Sequence, residues 1–449
     1  MGNNALYWGQ SLTGRLQGQN LWANLETRAA KFFPRLEAEL QAGVLPFISM
    51  PYRARLETEL PRIMESFGKN IKHMLLLGIG GSALGARALQ KAFMPGQDWP
   101  GHAGPWLWIA DNIDADSFSG WLDRLPPKDT LVVVISKSGG TIETMSQYFL
   151  VRDWLFKKLG LEWTKQVLII TDEKTGALRE EVTAKNLPSL PVPDHLGGRY
   201  SVLSSVGLVP AYFCGIDWKG LLNGAAGVME PLVKNPAFLG SHPAWRIAVW
   251  AKALLDNNYN QLIFFNYIPS WSYFSNWFAQ LWAESLGKSG KGSMPISATG
   301  VTDQHSVQQM FLDGPKDKGC LFIESLPHAA GPHFDAGTPD NWSYLKGKAF
   351  SELLFAEGIG TRGAFAAQNI PLVRMEMGQA KANNAGKLVA LLGLATIFTG
   401  WLLEINPLDQ PAVELGKRLA NARLGASGYT SENKALEQYF AVPDEKQSF

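Results

Sequence analysis

A hydroxyl-rich segment with one cation lies where a β-rich run gives way to a helical pattern. Ser136-Lys137-Ser138-Gly-Gly-Thr141 directly follows the run Thr130–Ile135. Hydroxyls, backbone N–H groups and one ammonium at a helix N-terminus suit a phosphate monoester. The segment is not a Walker A loop, so we expect a compact phosphate site rather than a nucleotide site. N-capping by a hydroxyl is the structural alternative, although one capping residue would be enough.

A second segment of small residues occupies the same kind of position. Gly78-Ile-Gly80-Gly-Ser82-Ala83 ends the apolar run Ile71–Leu77 and opens a helical stretch. Small residues there allow the backbone to approach a phosphate or a hydroxyl closely. The segment also fits the dinucleotide pattern G-x-G-x-x-A, which keeps an NAD-dependent oxidoreductase open as an alternative. A tight strand-to-helix turn without any ligand is the structural alternative.

Candidates for acid–base chemistry come later in the chain. Gln280 and Glu284 are spaced i and i+4 on one predicted helix, at the end of the uncharged span Asn257–Ala283. Glu284 is either a solvated helix end or a general base in an apolar wall. Arg199 follows two glycines, and a guanidinium presented in this way can stabilise an oxyanion. Taken alone, Arg199 is more typical of a surface loop than of a site.

Three further polar residues are candidates by residue type. His305 lies in the segment TDQHS, and Gln410 and Lys417 lie in the segment LDQPAVELGK. Gln410 and Lys417 could project into a cleft, whereas Glu414 and Lys417 at i and i+3 form an ordinary surface pair. The histidines lack the tight spacing of metal ligands, so the sequence predicts no metal site.

The elements that must position these residues alternate between short strands and helices. Strand-like runs are found at Ile71–Leu77, Trp106–Ala110, Thr130–Ile135, Gln166–Ile170, Gln261–Phe265, Gly319–Glu324 and Pro371–Glu376. Such alternation predicts α/β architecture with parallel sheets covered on both faces. We predict an N-terminal helical segment (1–65), two α/β domains (66–230 and 231–405) and a C-terminal helical segment (406–449).

Composition narrows the function classes. The 449 residues include 41 Lys+Arg and 40 Asp+Glu, and a net charge of +1 gives no general attraction to nucleic acid. Cys214 and Cys320 cannot form a disulfide framework, which favours a reducing compartment. The N-terminus has no signal-peptide pattern. The uncharged run between Lys387 and Glu404 is too short for a confident membrane span, so we expect a buried helix.

Six segments in order resemble the glucose-6-phosphate isomerase (phosphoglucose isomerase) family, in its shorter bacterial form. They run from about Leu75 to Lys417 and read GIGGSALG, SKSGGTIET, GGRYS, QLWAESLGK, TDQHS and LDQPAVELGK. The chain departs from the family pattern at Gly140 and Leu408. The resemblance implies two sugar-isomerase-type α/β/α sandwich domains with parallel-rich sheets. It also implies reversible isomerisation of glucose 6-phosphate to fructose 6-phosphate through a cis-enediolate, with no metal and no cofactor.

The resemblance further implies a role for each candidate residue. Glu284 is the base, Arg199 stabilises the enediolate, and His305 and Lys417 assist ring opening. The residues implied to bind substrate are Ser136, Lys137, Ser138 and Thr141 at the phosphate, and Gly80, Ser82, Gln280 and Gln410 along the sugar. The uncharged span Asn257–Ala283, the charged fraction of 18% and the sixteen tryptophans predict a homodimer, because association would bury apolar surface. The resemblance adds that His305 reaches the neighbouring subunit's site. We expect a cytoplasmic protein with no nucleic acid or membrane partner.

Two other classes share the sandwich domain. A sugar-phosphate sensor would need the phosphate loop but not Glu284, His305 and Lys417 together, and no basic DNA-binding stretch is visible. An amino-sugar isomerase would need ammonia or amide chemistry, and nothing in the sequence signals a glutamine-hydrolysing domain.

Overall fold

The computed structural model describes residues 4–48, 50–328 and 331–447. Its strands are β1 (Ala5–Gln10), β2 (His73–Leu77), β3 (Trp106–Ala110), β4 (Thr130–Ile135), β5 (Val167–Asp172), β6 (Ser189–Val192), β7 (Gln261–Tyr267), β8 (Met294–Thr299), β9 (Lys318–Glu324) and β10 (Leu372–Glu376). Its helices are α1 (Leu25–Ala30), α2 (Phe33–Gln41), α3 (Met50–Ser66), α4 (Leu84–Phe93), α5 (Ala115–Arg124), α6 (Ile142–Leu159), α7 (Ala177–Lys185), α8 (Ser205–Phe213), α9 (Trp218–Lys234), α10 (Pro243–Asp256), α11 (Ser272–Leu286), α12 (Gln308–Leu312), α13 (Phe350–Ala367), α14 (Ala382–Leu402), α15 (Glu414–Arg423) and α16 (Thr430–Ala441).

The first sheet is parallel and has the strand order β3-β2-β4-β5-β6. Its central strands are buried on both faces, because β4 (TLVVVI) and β5 (VLIITD) are almost entirely apolar and rich in β-branched residues. The chain passes from β2 to β3 on one side and then crosses back to β4 on the other. The switch point of the sheet therefore lies between β2 and β4, where ligands bind in open α/β sheets.

The second sheet has the order β1-β10-β9-β7-β8, with β1 antiparallel to β10 and the other pairs parallel. The prediction of an α/β chain with parallel-rich sheets is confirmed. Strands β1, β6 and β8 were not predicted; β1 lies in the segment expected to be helical, and β6 lies in the expected connection. All three are edge strands. Pro191 in β6 and Pro295 in β8 are tolerated there because an edge strand can lack one ladder donor.

A central layer of helices connects the two sheets. One continuous apolar core includes inward-facing residues of both sheets together with residues of α4, α8, α9, α10, α11 and α14. Separate smaller cores cover the outer face of each sheet. Helix α14 is long and apolar enough to cross a membrane, but 83% of its most apolar window is buried within the protein. It therefore serves as a core helix, as expected, and the four segment boundaries remain predictions.

Candidate active site

Arg199 is the centre of the largest polar cluster among the candidate residues. It lies in the short helical turn Gly198–Leu203 after β6, and only 2% of the residue is exposed. Its guanidinium donates to Ser285 Oγ (2.7 Å), Glu284 Oε2 (3.2 Å), Gln410 Oε1 (2.8 Å), Pro407 O (2.9 Å) and Asp409 O (3.0 Å). A buried guanidinium is tolerated only when its donors are satisfied and its charge is paired. The structure thus places Arg199 in a site and not on a surface loop.

The position of Arg199 depends on a close approach of two loops. A Cβ atom added to Gly81 would lie 2.2 Å from the carbonyl carbon of Gly198 and 2.6 Å from the Arg199 nitrogen. Only glycine fits this contact. Trp277 Nε1 on α11 also donates to Arg199 O at 3.1 Å. Gly81 is therefore explained by its packing against the Arg199 turn.

Glu284 extends from the last turns of α11 between Arg199 and Gln280. Its Oε2 atom accepts from Arg199, and its Oε1 atom accepts from Gln280 Nε2 at 2.9 Å. The predicted i, i+4 pair is therefore formed. The Glu284 side chain is 31% exposed, so the carboxylate borders the arginine on one side and open space on the other. A Cβ atom on Gly80 would lie 3.0 Å from Gln280 Nε2, which places the Gly80 loop beside this pair.

The hydroxyl-rich segment forms the junction between β4 and α6. Ser136 Oγ and Thr141 Oγ1 are 3.1 Å apart, and Ser138 Oγ accepts from Gly140 N at 3.2 Å. Lys137 Nζ donates to Leu196 O at 3.2 Å. Burial lowers the pKa of the Lys137 ammonium, while Asp172 and Asp194 oppose that shift. Hydroxyls and one ammonium thus converge at the N-terminus of α6, as a phosphate site requires.

Both loops meet Arg199 at the carboxyl edge of the first sheet. The register pairs Leu77 of β2 with Val134 of β4, so their following loops start side by side. Lys137 contacts Leu196, which leads into the Arg199 turn, and Gly81 packs on the same turn. The site therefore lies at the switch point of the sheet and includes α11 from the second half of the chain.

The chain matches the profile of one protein family, described as Phosphoglucose isomerase, over residues 63–329. It is 39% identical over 364 residues to a glucose-6-phosphate isomerase from Rubrobacter xylanophilus, covering 79% of this chain and 82% of that relative. The chain belongs to the phosphoglucose isomerase family. The predicted family and the predicted class of enzyme, an aldose–ketose isomerase, are confirmed.

Further relatives of this phosphoglucose isomerase family member agree. A probable glucose-6-phosphate isomerase from Methanococcus maripaludis is 35% identical over 385 residues, covering 84% of each chain. A hypothetical protein from Thermus thermophilus has a TM-score of 0.79 at 29% identity and covers 94% of this chain and 100% of its own. A glucose-6-phosphate isomerase from Chlamydia trachomatis, at 24% identity and a TM-score of 0.71, covers 88% of this chain and 77% of its own and supports the fold.

Two residues with roles implied by the family resemblance lie outside this cluster. His305 is exposed after the turn Thr302–Gln304, and its ring forms no hydrogen bond or ion pair with any described residue. Lys417 is exposed on α15 and pairs with Glu414 Oε1 at 2.7 Å, which is the ordinary surface pair. Gln410 alone among the C-terminal candidates contacts Arg199. Ser82 lies in the Gly80–Ser82 turn, and its hydroxyl forms no hydrogen bond within the described ranges.

Sequence reasoning did not assign four residues that hold the Arg199 cluster in place. Ser285 Oγ accepts from Arg199 and lies 3.0 Å from the hydroxyl of Tyr200. Burial raises the pKa of Tyr200 to about 12, so it stays protonated. Lys288 Nζ pairs with Asp409 Oδ1 at 2.9 Å, and this hydrogen bond lowers the pKa of the Asp409 carboxyl.

No group of three or more His, Cys, Asp or Glu side chains that could hold a metal occurs within residues 4–48, 50–328 and 331–447. The positive charge at the site is provided by Arg199, Lys137 and Lys288. Their donors face the carbonyl, amide and carboxylate oxygens named above.

Proposed function

We propose that this chain interconverts glucose 6-phosphate and fructose 6-phosphate at the Arg199–Glu284 site. The observation that carries the proposal is the buried guanidinium of Arg199, held 3.2 Å from a partly exposed Glu284 carboxylate. A base beside a fixed cation is the arrangement that proton abstraction next to a carbonyl requires. Relatives named glucose-6-phosphate isomerase support the choice of substrate.

Glu284 is the base in this proposal. Its carboxylate removes the proton from C2 of the open-chain aldose, and the electron pair forms the C1–C2 double bond of a cis-enediolate. The charge on the former carbonyl oxygen is stabilised by the guanidinium of Arg199. Glu284 then returns the proton to C1 while O1 gains a proton and O2 loses one, which yields the ketose. Gln280 holds Glu284 Oε1 and orients the carboxylate.

Ser136, Lys137, Ser138 and Thr141 bind the phosphate in the same proposal. Their hydroxyls and ammonium lie at the first turn of α6, where the helix dipole favours an anion. Binding energy from the phosphate is gained away from the reacting carbons, so it can position C1 and C2 beside Glu284. Gly80, Ser82 and Gln410 line the path between the two ends.

His305 and Lys417 are assigned to ring opening, and His305 is assigned to the site of a second subunit. His305 is exposed and belongs to a segment whose apolar side chains Val307 and Met310 are 37% and 57% exposed. A homodimer would cover these side chains and could bring His305 to the partner's Arg199 cluster. Lys417 lies on α15, the helix that follows Gln410 in the chain, and Gln410 contacts Arg199.

One assay tests the isomerase proposal directly. Purified chain is supplied with fructose 6-phosphate, and formation of glucose 6-phosphate is followed by a coupled dehydrogenase. We expect turnover that survives excess chelator, because Arg199 provides the positive charge. Lack of turnover would refute the activity. Complete loss on chelation, restored by a divalent ion, would refute metal independence.

A mixing experiment tests the shared site. Inactive Glu284→Gln and inactive His305→Ala subunits are refolded together, and each is refolded alone as the control. If His305 acts across the interface, a mixed dimer has one intact site, and activity approaches about a quarter of wild type for random pairing. No recovery, with mixed dimers shown to form, would place His305 in its own subunit's site.

The cysteines support a reducing compartment such as the cytoplasm as the place of action. Cys320 is buried in β9, Cys214 follows α8, and neither forms a disulfide. Burial raises the pKa of both thiols, which keeps them unreactive. Full activity in the presence of dithiothreitol is expected, and a requirement for oxidising conditions would contradict this location.

A further inference from the structure

A cavity separate from the Arg199 cluster lies between β1 and the helices α9, α10 and α14. It encloses about 800 Å³, a size typical of small-molecule sites. None of its lining residues belongs to the candidate active site. The proposed isomerase reaction therefore leaves this cavity without a role.

Arg246 on α10 lines the cavity without a counter-ion. Its guanidinium carbon lies 4.4 Å from the ring centroid of Trp8 and 4.3 Å from that of Trp22. Its Nε atom is buried and has no hydrogen-bond partner in the described part of the chain. Burial lowers the pKa of Arg246, and no carboxylate opposes that shift. A buried donor such as this Nε is costly without an acceptor, and a ligand in the cavity can provide one.

A second cation, Lys387 on α14, lines the same cavity. Its ammonium forms no hydrogen bond or ion pair with any residue that the structure describes. His242 is already engaged, because its Nδ1 accepts from Ala244 N and its Nε2 faces Val228 O at 2.9 Å. Asn4 Nδ2 donates to Asn384 Oδ1 at 3.0 Å, while Asn4 Oδ1 is buried and has no partner in the described part of the chain. No acidic side chain is among the described lining residues. The cavity thus carries two positive charges that are unpaired in the described part of the protein.

The remaining walls are largely apolar. Leu6 and Trp8 are two residues apart in β1, so they lie on the same face and line one side of the cavity. Leu388 and Leu391 on α14 line another side together with Met377. The nearby carboxylate of Glu26 is exposed and accepts from Ser241 Oγ at 3.2 Å. A ligand that matches these walls must combine an anionic group with an apolar body. Inorganic phosphate alone would leave the apolar walls uncovered.

We propose that this cavity binds a small organic carboxylate with an apolar tail. The carboxylate accepts charge-assisted hydrogen bonds from Arg246 and Lys387, which are the strong class of hydrogen bond. The tail packs against Leu6, Leu388 and Leu391 and is removed from water. Trp8 and Trp22 hold the guanidinium in place for this contact.

Calorimetric titration with octanoate tests the proposal on the full chain. We expect one saturable site per chain, and we expect Arg246→Gln and Lys387→Gln each to weaken binding at least about tenfold. Octanol, which lacks the charge, and acetate, which lacks the tail, should both bind much more weakly. Arg35→Gln is the matched control, because Arg35 stacks on Trp401 at 4.8 Å outside the cavity. Its octanoate affinity should equal that of wild type.

Three results would overturn the proposal. One is the absence of saturable octanoate binding to wild type. Another is unchanged octanoate binding in Lys387→Gln. This variant leaves Arg246 and its two tryptophans intact, so it remains informative if Arg246→Gln does not fold. The third is displacement of octanoate by fructose 6-phosphate, which would place the octanoate in the sugar-phosphate site. Octanoate binding that persists in saturating sugar phosphate supports a separate site.

Discussion

The proposed phosphate loop, Ser136–Thr141, and the Arg199 cluster lie at the same edge of the first sheet but are built in different ways. Ser136 to Thr141 occupy one strand-to-helix junction, and the side-chain hydroxyls of Ser136, Ser138 and Thr141 bond to one another or to the backbone within that junction. The Arg199 cluster joins the turn after β6, the end of α11 and the segment Pro407–Gln410. The first is a local structure, and the second exists only when distant parts of the chain are packed together.

Because of this difference, we expect substitutions in the loop to change ligand affinity and substitutions in the Arg199 cluster to change folding stability as well. In the proposed reaction, loss of these loop side chains removes contacts to the phosphate. It should change stability little, because other hydroxyls can still cap α6. Loss of Arg199 leaves Asp409 O without its Arg199 donor and leaves Pro407 O with only the longer bond from the Tyr200 hydroxyl at 3.3 Å. A buried group that loses its partner costs about 1–3 kcal/mol. We therefore expect the cluster to be sensitive in both folding and rate, and the loop to be sensitive mainly in affinity.

The largest effect is expected for Glu284→Gln. The substitution keeps the shape and removes the base, so the isomerisation rate should fall by about 10²–10⁴. Exchange of the substrate C2 hydrogen with solvent should fall in parallel, as measured by NMR. Glu162→Gln, which changes an exposed carboxylate in the first sheet's domain, is the control and should retain full rate. Near-normal exchange in Glu284→Gln would show that another residue is the base.

Arg199→Lys comes next, with an expected loss of about 10²–10³ in kcat because one stabilising group for the enediolate is misplaced. The free energy of unfolding should also fall, by about 3–5 kcal/mol, since a single ammonium cannot satisfy the five acceptors of the guanidinium. Denaturant unfolding measures this. Arg35→Lys, at an exposed pair with Glu39, should cost under about 1 kcal/mol. Equal free energies of unfolding for Arg199→Lys and Arg35→Lys would contradict the inference that Arg199 holds distant segments of the chain together.

The double variant Lys137→Ala, Ser138→Ala should raise KM for fructose 6-phosphate about tenfold or more, through lost charge-assisted hydrogen bonds. Its melting temperature should stay within about 2 °C of wild type, because α6 retains Ser136 and Thr141 at its N-terminus. Steady-state kinetics and thermal unfolding measure the two quantities. Lys165→Ala, in an exposed turn, is the control. Unchanged inhibition by a sugar-phosphate analogue would show that the phosphate binds elsewhere.

The pH dependence of KM should reveal the buried ammonium of Lys137. Its lowered pKa means that, as pH rises, Lys137 loses its proton before an ordinary lysine with a pKa of 10.5 would. As the pH is raised, KM should therefore begin to increase before the pH reaches 10.5, while kcat changes less. In Lys137→Gln this alkaline rise should disappear. An identical alkaline limb in wild type and variant would assign it to another group.

Gly140→Thr should have the smallest effect. A Cβ atom at Gly140 meets nothing within 4 Å, so the side chain fits and adds a hydroxyl to the loop. Stability should rise by about 0.4–1 kcal/mol, because the unfolded chain loses freedom. KM should change by less than about fivefold. Gly139→Thr is the contrast, since its φ of 63° and a 2.8 Å approach to Leu178 N make it destabilising. Equal stability of the two variants would contradict this local interpretation.

The sequence predicted the central strands and the edge strand β3 but missed the other three edge strands. Central strands such as β4 and β5 are buried on both faces and therefore are continuous apolar runs. Strands β1, β6 and β8 lie at sheet edges, where one side needs no partner and proline is accepted. Their short sequences mix polar and apolar residues and show no clear strand pattern. They become strands through pairing of β1 with β10, β6 with β5 and β8 with β7.

The same contrast holds at the site. The sequence by itself determined the position of the hydroxyl-rich segment between β4 and α6 and the Gln280–Glu284 pair, because both depend on spacing along a short stretch of chain. It also determined the family, through six ordered segments. Only the tertiary structure decided that Arg199 is buried, that Ser285 and the carbonyls of Pro407 and Asp409 satisfy it, and that Lys288 holds Asp409. A guanidinium is stable in the interior only where several separate segments bring their acceptors together, and the packing that brings them together is a property of the whole fold.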